Sequence, residues 1–584
     1  MTRDCGNEDA CAVAAESGNG PPFGGAGFPL LWLLVPQIAA FAFCGNAAWA
    51  AEIPPSRWAL AGALFLFASA AASAVECAAE KGCARARAAA EIWKFCFPAA
   101  AFFLFAAWWN FRAPPVADTA GMPPREAEIV LRVERSFSGS EKNFNGIARV
   151  ESISGGDGAL AGTRVWYALP REHLESVPEE GARIRAAGVL QGVSAENLSS
   201  GGFADFLRRE RVCSVFSRAG TAEFLSRGES SFARRCAEAK AFLLARISEI
   251  SEPFGETSAR TGRVLGAMML GEQSLLSPEQ KRNYLLTGTM HIFSVSGLHI
   301  SILAAGLLGL FRLLRFPRVP AWLLAIAGLR LYVEIIGAPP PAERAWTMLV
   351  FLFLGTLFGR GRLPFHGLLF SAFFSLTVSP TLAENVGFRL SYFAVAAILL
   401  YGVPAAERAE RFFRSARRLP DEMTTRGERL RARLRRMLAG NFCVSAAATL
   451  AGTTCIVELF GVCSLVSLLA NLVLIPLVAV ASWAGAAVLC AACLPAVGAA
   501  AGTLFYAAAA IPLWLVDEGT ALFARAPGIW SFSFPYAGLG AFGGLLMLAL
   551  FFFGAVWRPF RERPWLRFGL PPFALCVFLL LFAH

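Results

Sequence analysis

Charged residues are scarce in this chain: 16% of its 584 residues are Asp, Glu, Lys or Arg, whereas 56% are hydrophobic. This composition excludes an ordinary soluble protein, and repeated apolar runs of about 20 residues indicate a polytopic membrane protein. The basic excess, 53 Lys and Arg against 42 Asp and Glu, is weak evidence for nucleic-acid binding, because basic residues collect in the cytoplasmic loops of membrane proteins.

Histidine is scarcer still, with five residues in the whole chain. A histidine-rich dinuclear site cannot be built from them, so we expect no metal and no cofactor. The sequence also contains no GxxxxGK[ST] segment. The chain is therefore not expected to be an ATPase with a phosphate-binding loop.

Paired CxxC motifs are absent, although the chain has 14 cysteines. Most of them lie in apolar runs, where cysteine behaves as a small hydrophobic residue. Cys490 and Cys493 form a lone CxxC inside such a run, which is more typical of packing than of metal binding. Cys213 and Cys236 flank the end of a soluble segment, and a disulfide between them is an open alternative if that segment faces an oxidising compartment.

The N-terminal region is predicted to be a membrane anchor over residues 1–112. Its first 25 residues lack the basic start of a cleaved signal peptide, so the first apolar run is expected to be retained. Three spans are predicted at about 28–47, 57–76 and 92–109. The loop between the last two is basic, and the positive-inside rule places it, and the N-terminus, in the cytoplasm.

The hydropathy pattern changes over residues 113–235, where apolar residues alternate with polar ones. Segments such as EIVLRVERS and TRVWYALP predict a small antiparallel β domain of about five strands, either a sandwich or a barrel. The topology places this domain outside the cytoplasmic membrane. Residues 113–225 carry 13 basic and 15 acidic side chains, so no basic groove is indicated, and a structural cap on the membrane core is an equal alternative.

The rest of the chain is predicted to be a membrane core. Residues 236–284 have apolar residues three and four apart, which is typical of interfacial amphipathic helices. A core over 285–560 and a C-terminal span within 561–584 follow. Candidate spans in these regions are 286–311, 320–337, 345–359, 364–380, 388–404, 440–458, 462–488, 497–517, 534–556 and 569–583. The total is about thirteen.

One basic loop, 405–439, holds eleven Arg and five acidic residues. It includes the amphipathic pattern RGERLRARLRRM. We expect it to be a cytoplasmic anchor on anionic lipid head groups. The alternative is a docking site for a cytoplasmic partner or for DNA.

The chain is organised around residues 285–303, LLTGTMHIFSVSGLHISIL. Polar side chains at membrane depth are costly, so they tend to face a cavity, a pore or a partner helix. Glycine in such a run permits a kink or an unwound turn. A helix–helix interface is the simpler alternative, because Gly, Ser and Thr are common packing residues there.

This stretch resembles the signature of the ComEC family of competence membrane proteins. The residues that match that signature are Gly288, His291, Ser294, Ser296, Gly297, Leu298 and His299. Three more family phrases occur in order at 337–348, 384–396 and 464–477. Their matching residues include Arg344, Gly387, Phe388, Leu390, Ser391, Asn471 and Pro476. Arg389 stands where the family usually has Gln.

The resemblance implies a polytopic α-helical protein of the cytoplasmic (inner) membrane with an extracytoplasmic OB-like β insert. It implies transport of single-stranded transforming DNA during competence, by a channel rather than an enzyme. The expected partners are single-stranded DNA, membrane lipid, a separate DNA receptor, a cytoplasmic helicase-type motor and a separate nuclease, and a homo-oligomer is left open. Many family members also carry a C-terminal metallo-β-lactamase-like domain, whose HxHxDH motif is absent from this sequence.

The residues predicted to line a pore are His291, Ser294, Ser296, Gly297, His299, Arg344 and Asn471. Gly288, Leu298, Gly387, Phe388, Leu390, Ser391 and Pro476 are assigned to the structural signature. Pro476 follows Asn471 by five residues, which predicts a broken helix. Arg330 and Glu334 are four apart and predict an ion pair within a span.

Two other functions are weighed against a channel. The first is an intramembrane serine hydrolase, in which Ser296 would be the nucleophile and His299, three residues on, its base. The sequence offers no obvious acid to orient that histidine. The second is a small-solute transporter, although inverted repeats are not visible.

Overall fold

The protein, seen in a computed structural model, has an N-terminal group of helices, a β barrel and a larger helical body. The structure describes residues 30–46, 53–78, 84–112, 119, 122–137, 142–154, 160–174, 178, 181–193, 203, 207, 210–226, 231–293, 295–358, 364–383, 385–415, 425–493, 498–534 and 538–582. The predictions for the polar start of the chain and for Ser294 lie outside these residues.

Three helices form the N-terminal group: α1 (Leu31–Asn46), α2 (Pro55–Ala78) and α3 (Ala84–Arg112). They overlap the three spans predicted there, and their crossing of the membrane stays a prediction. Helices α2 and α3 pack side by side, and the ring of Phe103 on α3 stacks on Trp58 of α2 at 5.8 Å between centroids. The apolar surfaces of α2 and α3 thus pack against each other.

Five strands close into a barrel. They are β1 (Arg125–Phe137), β2 (Asn143–Ser154), β3 (Arg164–Pro170), β4 (Arg183–Gly192) and β5 (Val212–Ser226). Their order is β1-β2-β3-β5-β4, with β1 pairing with β4 to complete the ring. Strands β3 and β5 are parallel and the other neighbours antiparallel. The predicted β domain of about five strands is confirmed as a barrel, but it is not wholly antiparallel, because β3 and β5 run in the same direction. Its OB-like assignment stays a prediction.

The barrel core follows from the period of two. Alternate residues of β3 are buried, and Ile129, Leu131 and Ile184 are fully enclosed. No disulfide joins Cys213 to Cys236 in the structure; both side chains are buried.

The barrel touches the N-terminal helices through Arg211, the residue before β5. The guanidinium carbon of Arg211 lies 4.6 Å from the ring centre of Trp109 on α3. Trp109 itself is fully buried. A cation over a desolvated indole is attractive, so this contact helps to hold the barrel against the third helix.

Three helices follow the barrel where interfacial amphipathic helices were predicted; the first two are amphipathic, and their place at the membrane interface stays a prediction. They are α4 (Ser231–Ser251), α5 (Glu256–Leu270) and α6 (Pro278–Leu286). Lys240 of α4 pairs at 3.0 Å with Glu272, which follows α5. Burial acts to raise the pKa of the Glu272 carboxyl, but hydrogen bonds from Ser274 and Lys240 and the charge of Lys240 bring that pKa below its usual value.

The helical body contains the remaining helices. They are α7 (Gly297–Leu313), α8 (Arg318–Ile335), α9 (Pro340–Leu357), α10 (Pro364–Val378), α11 (Val386–Ala397), α12 (Val403–Ser415), α13 (Arg426–Phe460), α14 (Val466–Ala492), α15 (Gly498–Phe523), α16 (Leu539–Val556), α17 (Arg558–Glu562) and α18 (Pro564–Phe582). A π-helical turn, Ile398–Gly402, joins α11 to α12. A short two-stranded antiparallel sheet, β6 (Val462–Ser464) with β7 (Ile529–Ser531), joins the segment before α14 to the segment after α15.

Five helices of the described residues are long and apolar enough to cross a membrane. They are Val386–Phe413, Gly427–Phe460, Val466–Ala492, Leu539–Val556 and Pro564–Phe582. Shorter apolar helices are Leu31–Cys44, Gly297–Leu313 and Pro364–Val378. The chain is therefore a mostly helical membrane protein with a small barrel, whereas the number of about thirteen spans stays a prediction.

Three sequence expectations need correction. The predicted span 286–311 is not one helix, because the chain unwinds after α6 and re-enters a helix only at Gly297. The basic segment is continuous with the next span, since Thr425 and Glu428 form a capping box that starts α13 there. Helix α14 runs through Pro476 without a break, as neighbouring helices let membrane helices tolerate proline.

The predicted pair of Arg330 and Glu334 is confirmed on α8. Glu343 of α9 also lies 3.5 Å from Arg330, and the Arg330 guanidinium carbon is 5.1 Å from the ring centre of Trp346. Arg330 thus forms ion pairs with an acidic residue of its own helix and with one of α9.

Candidate functional site

A cavity of about 1810 Å³ lies in the helical body. Its walls come from the segment before α7 and from helices α7, α9, α10, α11, α13 and α14. Leu, Val, Ile and Phe make up much of the wall, and uncharged polar side chains, mostly Ser, Thr and Asn, lie among them. Its volume exceeds the roughly 300–1,000 Å³ that is usual for small-molecule pockets.

The cavity brings together many residues that the sequence singles out. Of the predicted pore-lining residues, His291, Ser296, Gly297, Arg344 and Asn471 line it. Gly288, Leu298, Gly387, Leu390 and Ser391 of the structural signature do so as well. His299, Phe388 and Pro476 are not part of the wall that the described residues form. Phe388 instead packs on Tyr392, with 4.3 Å between ring centroids.

The segment between α6 and α7 is an irregular turn. Gly288 has φ +67°, and a Cβ there would lie 2.8 Å from Cβ of Ser467 on α14. A 3₁₀ turn, Met290–Phe293, follows, and Val295 has φ +38°. Glycine is needed at Gly288 for both reasons: the left-handed backbone and the close approach of α14.

Ser296 and His299 contact each other, as the hydrolase alternative requires. The Ser296 Oγ lies 3.0 Å from His299 Nδ1, and the Ser296 backbone N–H donates to the same nitrogen at 3.2 Å. His299 is buried, and its Nε2 has no hydrogen-bond partner among the described residues. No carboxylate of those residues orients the imidazole, so the pair acts as a cap at the start of α7.

Arg344, on α9, brings a full charge into the cavity wall. It is 6% exposed. Its Nε donates to Ser391 Oγ at 2.8 Å, and its Nη1 lies 3.8 Å from the sulfur of Met348. Its guanidinium carbon is 5.8 Å from the ring centre of Tyr392. Within the part of the chain that the structure describes, no acidic side chain pairs with it.

Gly297, the first residue of α7, lies against that guanidinium. A Cβ built on Gly297 would be 2.5 Å from Arg344 Nη2. The absence of a side chain at Gly297 therefore lets Arg344 approach the N-terminus of α7.

Two further polar atoms of the wall lack partners. The Oδ1 of Asn471 and the Oγ of Ser464 are buried without a hydrogen bond to any described residue. Buried polar atoms are normally satisfied, so these two atoms retain unused hydrogen-bonding capacity in the wall.

Asp517, on α15, is a buried group that the sequence analysis missed. Its carboxylate accepts from Gln280 Nε2 at 3.1 and 3.0 Å and from Tyr284 OH at 3.0 Å. Arg260 pairs with it at 2.7 Å. This network ties α15 to α5 and α6, immediately before the irregular turn. An acidic residue in an otherwise apolar run was the available signal.

The described residues hold no group of three or more His, Cys, Asp or Glu side chains that could bind a metal ion. Arg389, which stands where Gln is usual, donates from Nε to the Ala383 carbonyl at 2.7 Å.

Sequence comparison relates this chain to known competence proteins. The sequence model of the family described as Competence protein matches residues 268–559. ComE operon protein 3 of Bacillus subtilis (strain 168) is 30% identical over 129 residues, 22% of this chain and 17% of that protein. An uncharacterized protein of Aquifex aeolicus (strain VF5) is 35% identical over 141 residues, 24% of this chain and 33% of that protein. The matches thus span a third or less of these relatives' length, and no solved structure matches.

Proposed function

Because the chain belongs to the Competence protein family, we propose that it acts in DNA uptake and passes single-stranded DNA across the cytoplasmic membrane through the cavity. The observation that carries this proposal is the cavity itself, which lies within the family-matched region and is lined by His291, Ser296, Arg344 and Asn471. These residues come from three separate segments. A path for DNA through the cavity would explain why polar side chains from three segments, which are costly in a membrane, lie together there.

The charge of the wall suits a moving polyanion. Among the described residues that line the cavity, Arg344 is the one Lys, Arg, Asp or Glu side chain. Affinity for a nucleic acid rises with the number of phosphates that cations neutralise. A path with few fixed cations would let a strand slide, and neutral donors such as Ser296 would replace part of its hydration.

The barrel has a proposed role outside the membrane. Its closed five-strand ring supports an OB-like assignment, and such barrels bind single strands or sugars. Its sequence has no basic excess, so we propose that it caps and positions the entrance rather than supplying most of the affinity. Its contact with α3 through Arg211 would hold it near the membrane surface.

The remaining partners belong to the same proposal. A DNA receptor would deliver the duplex, a separate nuclease would remove one strand, and a helicase-type motor or the proton gradient would drive transport. The chain would act without catalysis of its own. The basic first half of α13 would lie on the cytoplasmic side against anionic lipid.

The test is uptake of labelled duplex DNA by the native host. Wild type, a deletion strain and strains with Ser296→Ala or Asn471→Ala would be compared at equal membrane levels of protein. We expect the deletion to abolish internalisation and to leave surface binding intact. Normal internalisation in the deletion strain would refute the proposal.

A further inference from the structure

The starting observation is the buried, uncompensated charge of Arg344. An arginine that is 6% exposed normally has an anionic partner, but Arg344 contacts a hydroxyl and a thioether. The adjacent acid, Glu343, lies instead 3.5 Å from Arg330. Since removing a charge from water is costly without a counter-charge, an anion that enters the cavity would be attracted to this guanidinium.

A second positive group meets Arg344 at the same place. Helix α7 has 17 residues and begins at Gly297. The His299 N–H already donates to the Ser296 carbonyl at 3.0 Å, so the groups that face an anion are the N–H groups of Gly297 and Leu298, where the helix dipole adds partial positive charge. The Ser296 hydroxyl is turned to His299. The helix start and the guanidinium converge, since Arg344 Nη2 lies 2.5 Å from the point where a Gly297 Cβ would be.

We propose that Arg344 and the first turn of α7 form a binding site for a phosphodiester anion in the cavity wall. A planar guanidinium presents parallel N–H donors that match two phosphate oxygens, and helix N-termini bind phosphate through backbone N–H groups. Gly297 is part of the site because any side chain there would displace the guanidinium. For a DNA phosphate this deepens the proposed function and rests on it; a lipid head group carries the same chemistry.

The experiment uses the full chain purified in a phosphate-free maltoside detergent. Binding of fluorescein-labelled dT20 is measured by anisotropy, with uncharged methylphosphonate dT20 as the reference probe. Retention of dioctanoyl phosphatidylglycerol, against dioctanoylglycerol, is measured by native mass spectrometry. The variants are Arg344→Gln and Gly297→Ala, and thermal melting confirms that each is folded. The control is Arg389→Gln, which removes an arginine that does not line the cavity.

For a DNA phosphate we expect Arg344→Gln and Gly297→Ala each to weaken dT20 binding by about tenfold or more, as for loss of a charged hydrogen bond. The control should stay within about twofold, and the methylphosphonate probe should bind all variants alike. If the bound anion is a lipid head group, the two variants lose affinity only for phosphatidylglycerol, and the proposed site is still supported. Folded variants with wild-type binding of both charged probes would overturn it. Normal uptake by the deletion strain would instead refute the proposed function and leave the site intact.

Discussion

Asp517→Ala is expected to be among the most destabilising single changes in the helical body. The Asp517 carboxylate accepts three hydrogen bonds from two buried side chains, Gln280 and Tyr284, and pairs with Arg260. Removal of the carboxylate leaves the donors of Gln280 and Tyr284 buried and unsatisfied. The arginine is 44% exposed and can turn to water.

The size of the destabilisation follows from the contrast between the two buried donors and the exposed arginine. Each stranded buried donor costs about 1–3 kcal/mol, so the free energy of unfolding should fall by about 3–5 kcal/mol, the range for breaking a buried ion pair. The matched control is the next residue: Glu518 is 49% exposed and lies 3.7 Å from the same Arg260. Glu518→Ala should cost less than about 1 kcal/mol. Asp517→Asn keeps one acceptor and should fall between the two.

The assay is unfolding of the purified chain in mixed micelles by titration with sodium dodecyl sulfate, followed by tryptophan fluorescence. Wild type, Asp517→Ala, Asp517→Asn and Glu518→Ala are compared under one condition. If Asp517→Ala falls within about 1 kcal/mol of Glu518→Ala, a value typical of exposed pairs, the network does not hold α15 to α5 and α6.

Three further changes test other contacts, the first two by the same titration and the third by limited proteolysis. Gly288→Ala should cost about 1–2 kcal/mol because it forces a left-handed backbone at φ +67°, whereas Gly309→Ala, in open space on α7, should be neutral or stabilising; equal effects would contradict this. Glu458→Ala should cost about 1 kcal/mol, since that carboxylate accepts from backbone N–H groups at the start of α16 at 2.7 and 3.1 Å, and no loss would count against the cap. Arg211→Ala should speed proteolysis between the barrel and α3 by loosening its contact with Trp109, and an unchanged rate would refute that role.

Local patterns predicted the local structure well. The period of two predicted a five-stranded domain because strands such as β3 bury alternate residues, although the first five residues of β5 are all buried. The glycines of 285–303 permitted a kink or an unwound turn, and Gly288 occupies the left-handed region there, although residues 286–311 were predicted to form one span. The capping box of Thr425 and Glu428 was present in the sequence and should have extended α13 to its observed start.

The contacts between distant segments could not be predicted in this way. Arg344 and Ser391 are 47 positions apart, and Gln280 and Asp517 are 237 apart. Such pairs depend on how whole helices pack, which no local period encodes. The prediction that Pro476 breaks α14 failed for the same reason, since packing against neighbours maintains the helix.

The most direct test of the account is to trap DNA inside the cavity during uptake. A photo-crosslinking benzoylphenylalanine would replace Val444, which lines the cavity, or Phe442, which is exposed on the same helix and is not part of the cavity wall. Competent cells that take up labelled DNA would then be irradiated. The account predicts a protein–DNA adduct at Val444 and none at Phe442. Adducts at both positions, or at neither while uptake proceeds, would contradict passage of DNA through this cavity.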